Sequence, residues 1–144
     1  MITWYGRPIA LILVVLSGCD APCDKSVRFD LPSPDGERHV VIFDRSCGAT
    51  TAFATHVSIL PRSQVISRGG NVFVVDSDHG QAPSIRGRGP YLDVSWRDPK
   101  TLGIAYDPKV RVFKSKAQYE GVTIEYHAVD DLFGYDTVER AATP

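Results

Sequence analysis

Methionine occurs once in this 144-residue chain, at its first position. That excludes the flexible Met-lined groove through which promiscuous binders accept many partners. A dominant charge is missing too, since 16 Lys and Arg stand against 17 Asp and Glu. Such a balance provides no basic field for nucleic acid, and no nucleic-acid partner is expected. The longest apolar run, Ile9–Leu16, falls well short of the roughly 20 residues a spanning helix needs. No segment carries a sustained 3.6-residue apolar period with caps, which argues against a helical fold. The Gly-x-Ser-x-Gly elbow, the phosphate-binding loop and the dinucleotide fingerprint are all absent, as are His-x-x-x-His and Cys-x-x-Cys. No cofactor and no catalytic set are therefore expected.

What is present points to strands. Ten prolines and twelve glycines punctuate a chain that is 43% hydrophobic and 23% charged, enough apolar surface for one packed domain. Val27, Phe29 and Leu31 alternate with Arg28 and Asp30, predicting a half-buried strand. Pro32-Ser33-Pro34-Asp35-Gly36 is a turn in which proline presets φ and Asp-Gly supplies the positive-φ position. The run Val40-Val41-Ile42-Phe43 predicts a strand buried on both faces, and Phe53, Thr55, Val57 and Ile59 alternate as the next. Val72–Val75 is a short strand, and Gln81–Pro90 an exposed loop. Tyr91–Arg97, the turn Asp98-Pro99-Lys100 and Thr101–Tyr106 form the clearest hairpin. Leu92, Val94 and Trp96 share one of its faces by period two, as do Leu102, Ile104 and Tyr106. Val110–Phe113 and Val122–Val129 close the series. The expected fold is all-β, a small antiparallel β-sandwich or curled sheet of about seven to eight short strands. V-S-W-R-D-P-K-T-L-G-I-A-Y looks like a fragment of a β-propeller blade, but the chain is too short for the four blades a closed propeller needs.

The N-terminus reads differently from the rest. Arg7, the apolar run Ile9–Leu16 and then Leu16-Ser17-Gly18-Cys19 resemble a bacterial lipobox, in which lipid is joined to the Cys and the chain is cut just before it. The resemblance implies a signal peptide over 1–18 and lipidation at Cys19. Residues 19–26 then serve as a tether, 27–129 as a single β domain and 130–144 as an irregular tail. Several acyl chains on one Cys would anchor the protein stably. Asp20 beside Cys19 matches the inner-membrane retention signal of enteric bacteria, so the expected location is the inner membrane, facing the periplasm. In such an oxidising compartment Cys23 and Cys47 are expected as a disulfide; a free reactive thiol or a metal pair are the alternatives.

Five groups of residues are candidates for chemistry. Cys47-Gly48 with Thr50-Thr51 forms a small polar loop that is a candidate binding loop; with His56 it is also the best candidate for a nucleophile and base, although a disulfide would remove the thiolate. Asp76-Ser77-Asp78-His79 offers two carboxylates and an imidazole, but it lacks the glycine and distal glutamate of a calcium loop. A strand-ending turn accounts for it better, and no metal is expected. His39, His56, His79 and His127 are scattered, as packing or surface histidines are. Arg86-Gly87-Arg88 is a basic loop within reach of lipid phosphates if the chain is tethered, and Asp130-Asp131 a solvated pair.

The span Ser33–Leu60, with its S-P-D-G turn, its C-G-A-T-T loop and its T-x-V-S strand, resembles a family of small bacterial envelope lipoproteins with no assigned activity. Here Asp44 stands three residues before Cys47, not beside it as in that family. The resemblance implies an exported β domain and carries no catalytic residue across. The expected function is a membrane-tethered, non-catalytic module, with the membrane and an envelope protein as partners. An envelope enzyme using the Cys47–Thr51 loop with His56, and a structural or stress-related surface lipoprotein, are the alternatives.

Overall fold

The computed structural model describes residues 23–48, 51–130 and 132. Its strands are β1 (Asp24–Pro32), β2 (Arg38–Ser46), β3 (Ala54–Pro61), β4 (Phe73–Asp76), β5 (Leu92–Asp98), β6 (Thr101–Tyr106), β7 (Arg111–Ser115), β8 (Gln118–Tyr119) and β9 (Val122–Ala128). They form a five-stranded sheet, ordered β1-β2-β3-β4-β7, and a four-stranded sheet, ordered β5-β6-β9-β8. The all-β expectation holds. The signal peptide, Cys19 and most of the tail lie outside the described residues.

Alternation within the strands builds the core. Val40 and Ile42 of β2, Val57 and Ile59 of β3, and Phe73 and Val75 of β4 point to the interior. There they meet Leu92, Val94, Leu102, Ile104, Val122 and Ile124 of the second sheet in one apolar cluster. This is the arrangement that packs two sheets face to face about 10 Å apart. Val41, Phe43 and Leu60 occupy the opposite face of the first sheet with Ile66. The run Val40–Phe43 is thus buried on both faces, each residue at most 3% exposed. Tyr126 ties the sheets: its ring packs 5.0 Å from Phe73, and its hydroxyl donates to Lys116 O at 2.9 Å. Burial pushes its pKa up to about 12.

Three expectations need correction. Residues 24–26 are not tether, because Asp24, Lys25 and Ser26 already pair with Ser46, Arg45 and Asp44. In β1 the register shifts between Val27 and Phe29, and this bulge overturns the alternation. Val27 and Phe29 are exposed, while the Arg28 side chain is 5% exposed. Last, β9 lies parallel to β6 in an otherwise antiparallel sandwich. After β6 the chain turns on Asp107, whose Oδ1 accepts from Lys109 N at 2.8 Å. It then joins the other sheet as β7 and returns through β8, so that β9 runs in the direction of β6. The short strand β8 was not foreseen.

The sandwich has two unlike ends. At one, Ala54 pairs with Arg45 and with Asp76, which in turn pairs with Arg111. Cys23 and Cys47 are disulfide-bonded here. At the other, Pro32 pairs with His39, Arg38 with Pro61 and Phe73 with Ser115. The β5–β6 turn lies at this second end, where Trp96 Nε1 donates to Leu31 O at 3.1 Å.

Candidate binding cleft and the outer sheet face

The outer face of the five-stranded sheet carries polar side chains beside Val41, Phe43 and Leu60, and the segment 62–71 covers half of it. Several long-range bonds hold that segment down. Lys25 Nζ donates to Ser67 O at 2.6 Å, Lys114 Nζ to Gly70 O at 2.7 Å, and Asn71 Nδ2 to Ile59 O at 2.8 Å. His39 bridges Asp30 Oδ1 at 2.6 Å and Gln64 O at 2.9 Å. Gly70 lies so close to the sheet that an added Cβ would stand 2.8 Å from Phe73 O and 3.0 Å from Val57 N; only glycine fits that approach.

His56 lies beneath this cover, 6% exposed. Its ring stacks on Phe43 at 5.3 Å, and its Nδ1 accepts from Gly70 N at 2.8 Å. Burial first, then the nearby charges of Arg45 and Lys114, push its pKa down to about 4. The ring is therefore neutral near pH 7, with Nδ1 as acceptor. Arg45 Nε, also buried, is the one such side-chain atom among the described residues without a hydrogen-bond partner.

The uncovered half of the face, at the disulfide end, holds a cleft of about 450 Å³ lined by Thr51, Ala52, Ala54, Asp76, His79, Arg111 and Phe113. Asp76 is 4% exposed and takes Arg111 in a two-bond ion pair, Nε to Oδ1 at 3.2 Å and Nη2 to Oδ2 at 2.5 Å. That pairing lifts the Arg111 pKa above its already high ordinary value. The Arg111 guanidinium also lies 4.9 Å above the exposed Phe113 ring, with its Nη1 3.9 Å from Asp78 Oδ1. On the far wall Asp78 and His79 adopt left-handed φ values of 45° and 59°. Asp76 Oδ1 accepts from Asp78 N at 2.9 Å, closing the turn that projects His79 into the cleft.

Two segments considered separately in the sequence thus meet: Thr51 of the polar loop and Asp76 and His79 of the strand-ending turn line one cleft. Thr51 Oγ1 donates to Gly48 O at 2.9 Å; Thr50 lies outside the described residues. The structure does not join the Cys47–Thr51 loop to His56. Cys47 spends its sulfur on Cys23, His56 faces Gly70, and the histidine in the cleft is His79. Asp76 faces Arg111 and its own turn, and no cluster of three metal-ligating side chains occurs among the described residues.

A second cluster at this end went unread in the sequence. Arg28 and Asp44, their side chains 5% and 4% exposed, form a two-bond pair at 2.8 and 2.7 Å. Arg28 also donates to Gly89 O at 2.6 Å and Pro90 O at 3.0 Å. Asp44 Oδ1 accepts from Gly89 N at 3.0 Å, and Thr55 Oγ1 donates to Pro90 O at 2.6 Å. The segment 84–90 is thereby clamped to the sheet. One signal was available: an aspartate ending a doubly buried apolar strand must find a cation or bury an unpaired charge.

Comparison with known protein families, with curated proteins and with solved structures finds no match.

Proposed function

We propose that this chain is a lipid-tethered envelope protein whose β-sandwich is a non-catalytic binding module. Its site would be the cleft between Thr51, His79, Arg111 and Phe113. The observation that carries the reading is the Cys23–Cys47 disulfide. It fastens the chain four residues after the lipobox-like Cys19 to the loop that leads into Thr51, so anchor and cleft share one end. The cleft mixes an exposed aromatic with an imidazole and a half-exposed arginine that is paired to Asp76, a lining suited to an aromatic segment of an envelope protein. The resemblance of Ser33–Leu60 to small envelope lipoproteins supports the same reading.

Two experiments test it. Metabolic labelling with a palmitate analogue should label the wild-type chain and fail with Cys19→Ala; label that survives the substitution removes the anchor. Mild cross-linking in intact envelopes, followed by detergent solubilisation and pull-down, should recover a protein partner that Phe113→Ser loses. Recovery of the bare chain alone would refute the binding reading.

A further inference from the structure

Where the chain enters the fold limits how it can sit on a membrane. The apolar run Ile9–Leu16 and Cys19 precede Cys23, which the disulfide holds at one end of the sandwich. Four extended residues span at most about 14 Å. An anchor at Cys19 therefore keeps this end, and not the opposite one, close to the bilayer surface.

That end is built to meet such a surface. The segment clamped by Arg28 and Asp44 carries a turn in which Arg88 N donates to Ile85 O at 2.9 Å, with Gly87 at φ 78°. Arg86 and Arg88 are exposed on it, and Ile85 is 48% exposed. Gly87 and Arg88 share a small depression with Phe53, Asp24, Lys25 and Ser46, and Phe53 is itself 38% exposed. Of the carboxylates lining it, Asp44 is neutralised by Arg28, leaving Asp24 against Lys25, Arg86 and Arg88. Ile85, Arg86 and Arg88 on a turn that its clamp holds in place, with Phe53 from the segment before β3 beside Arg88, make the pattern of apolar next to basic side chains that seats a surface in the headgroup region of an anionic bilayer. The clamp also means that little order must be created on contact.

We infer that Phe53 and the Ile85–Arg88 turn form a docking face for an anionic phospholipid surface, laying the disulfide end of the sandwich on the membrane that holds the N-terminus. The inference rests on the anchored reading above and adds the orientation of the domain.

The test uses the full-length protein reconstituted in vesicles of anionic phospholipid doped with a photoactivatable phosphatidylcholine, with cross-links mapped by mass spectrometry. Labelling is expected on peptides containing Phe53 and Ile85–Arg88, and not on the 33–37 or 98–100 turns. Arg86→Glu and Arg88→Glu should each lower it at least fivefold, since the loss of one basic contact with an anionic surface alone predicts about that factor; unchanged Trp96 fluorescence would verify the fold. Labelling spread over both ends, labelling indifferent to the reversals, or cross-linking of the turn to a polypeptide in native envelopes would overturn the inference. Palmitate-analogue uptake reports the anchor separately. A lipidated chain that cross-links elsewhere refutes the face alone, whereas an unlipidated chain that still labels at the turn keeps the face and removes the lipid.

Discussion

The two ends of the sandwich are held by different kinds of bond. At the turn end the turns themselves are closed by partners close in sequence, and Trp96 Nε1 to Leu31 O, across 65 positions, joins the two sheets. Ser33 Oγ donates to Asp35 Oδ1 at 2.6 Å, and Asp35 also accepts from Glu37 N at 3.1 Å. Across the hairpin turn Asp98 accepts from Lys100 N at 2.7 Å. These bonds hold both carboxyls below their ordinary pKa, Ser33 acting first on Asp35 and Lys100 N–H first on Asp98. At the disulfide end the partners are remote: Arg28 reaches Gly89 across 61 positions, Asp76 reaches Arg111 across 35, and Cys23 reaches Cys47 across 24. The turns of one end are specified locally. The other exists only once the tertiary fold has assembled it, and there the loops, the cleft and the exposed aromatics accumulate.

The sharpest way to break this contrast is Asp44→Ala. It strands the Arg28 guanidinium without its counter-charge in a site where both side chains are nearly inaccessible. A loss of about 3–5 kcal/mol is expected from urea unfolding, with hydrogen exchange rising first at Gly89 N–H and Arg88 N–H. If the protection lost is uniform over both ends, the clamp is not local to the disulfide end. Replacing Cys23 and Cys47 together by Ser should cost about 3 kcal/mol by relaxing the unfolded chain. The Trp96 environment at the opposite end should stay native wherever the variant remains folded.

Acid probes the covered half of the face between the two ends. The unfolded chain protonates His56 near 6.5, but the folded chain does so only near 4. Between these values the unfolded state binds more protons, so stability is full above about 6.5 and falls as pH drops toward 4. The loss should be on the order of 2–3 kcal/mol, and His56→Gln should flatten that slope in urea titrations at successive pH values. A variant with the wild-type slope would assign the acid lability elsewhere. The smallest effect is expected at the turn end. Ser33→Ala removes the buried hydroxyl that serves Asp35, Arg38 N and Arg38 O and should cost about 1 kcal/mol, without altering exchange in the 84–90 segment.

The same contrast explains what could be read in advance. The β5–β6 hairpin was legible to within one residue, β5 running Leu92–Asp98 where Tyr91–Arg97 was expected, because Asp98-Pro99-Lys100 and the alternation of Leu92, Val94 and Trp96 are local signals. So were the double burial of Val40–Phe43 and the polar character of the Cys47–Thr51 loop. Arg28 was misread because a one-residue bulge reverses which side chains face in, and nothing within Val27–Leu31 marks it. Arg111 and Phe113 fell within the short strand expected over Val110–Phe113, with nothing local to single them out. Only the tertiary pairing of β7 with β4 brings them to Asp76, Thr51 and His79, and pairings between distant strands leave no mark in local sequence.

The parallel contact between β6 and β9 bears on the order of assembly. Hairpins such as β1–β2 and β5–β6 close over short loops and can form as soon as both arms exist. β9 cannot, because its partner lies on the far side of an excursion through β7 and the other sheet. Val122 and Ile124, both nearly inaccessible in the finished core, arrive with that last strand. A chain growing from its N-terminus therefore leaves uncovered the part of the core that Val122 and Ile124 fill until β9 has emerged. β9 closes that part late, so the interval before it docks is one in which the β6 edge and this apolar surface are open to aggregation.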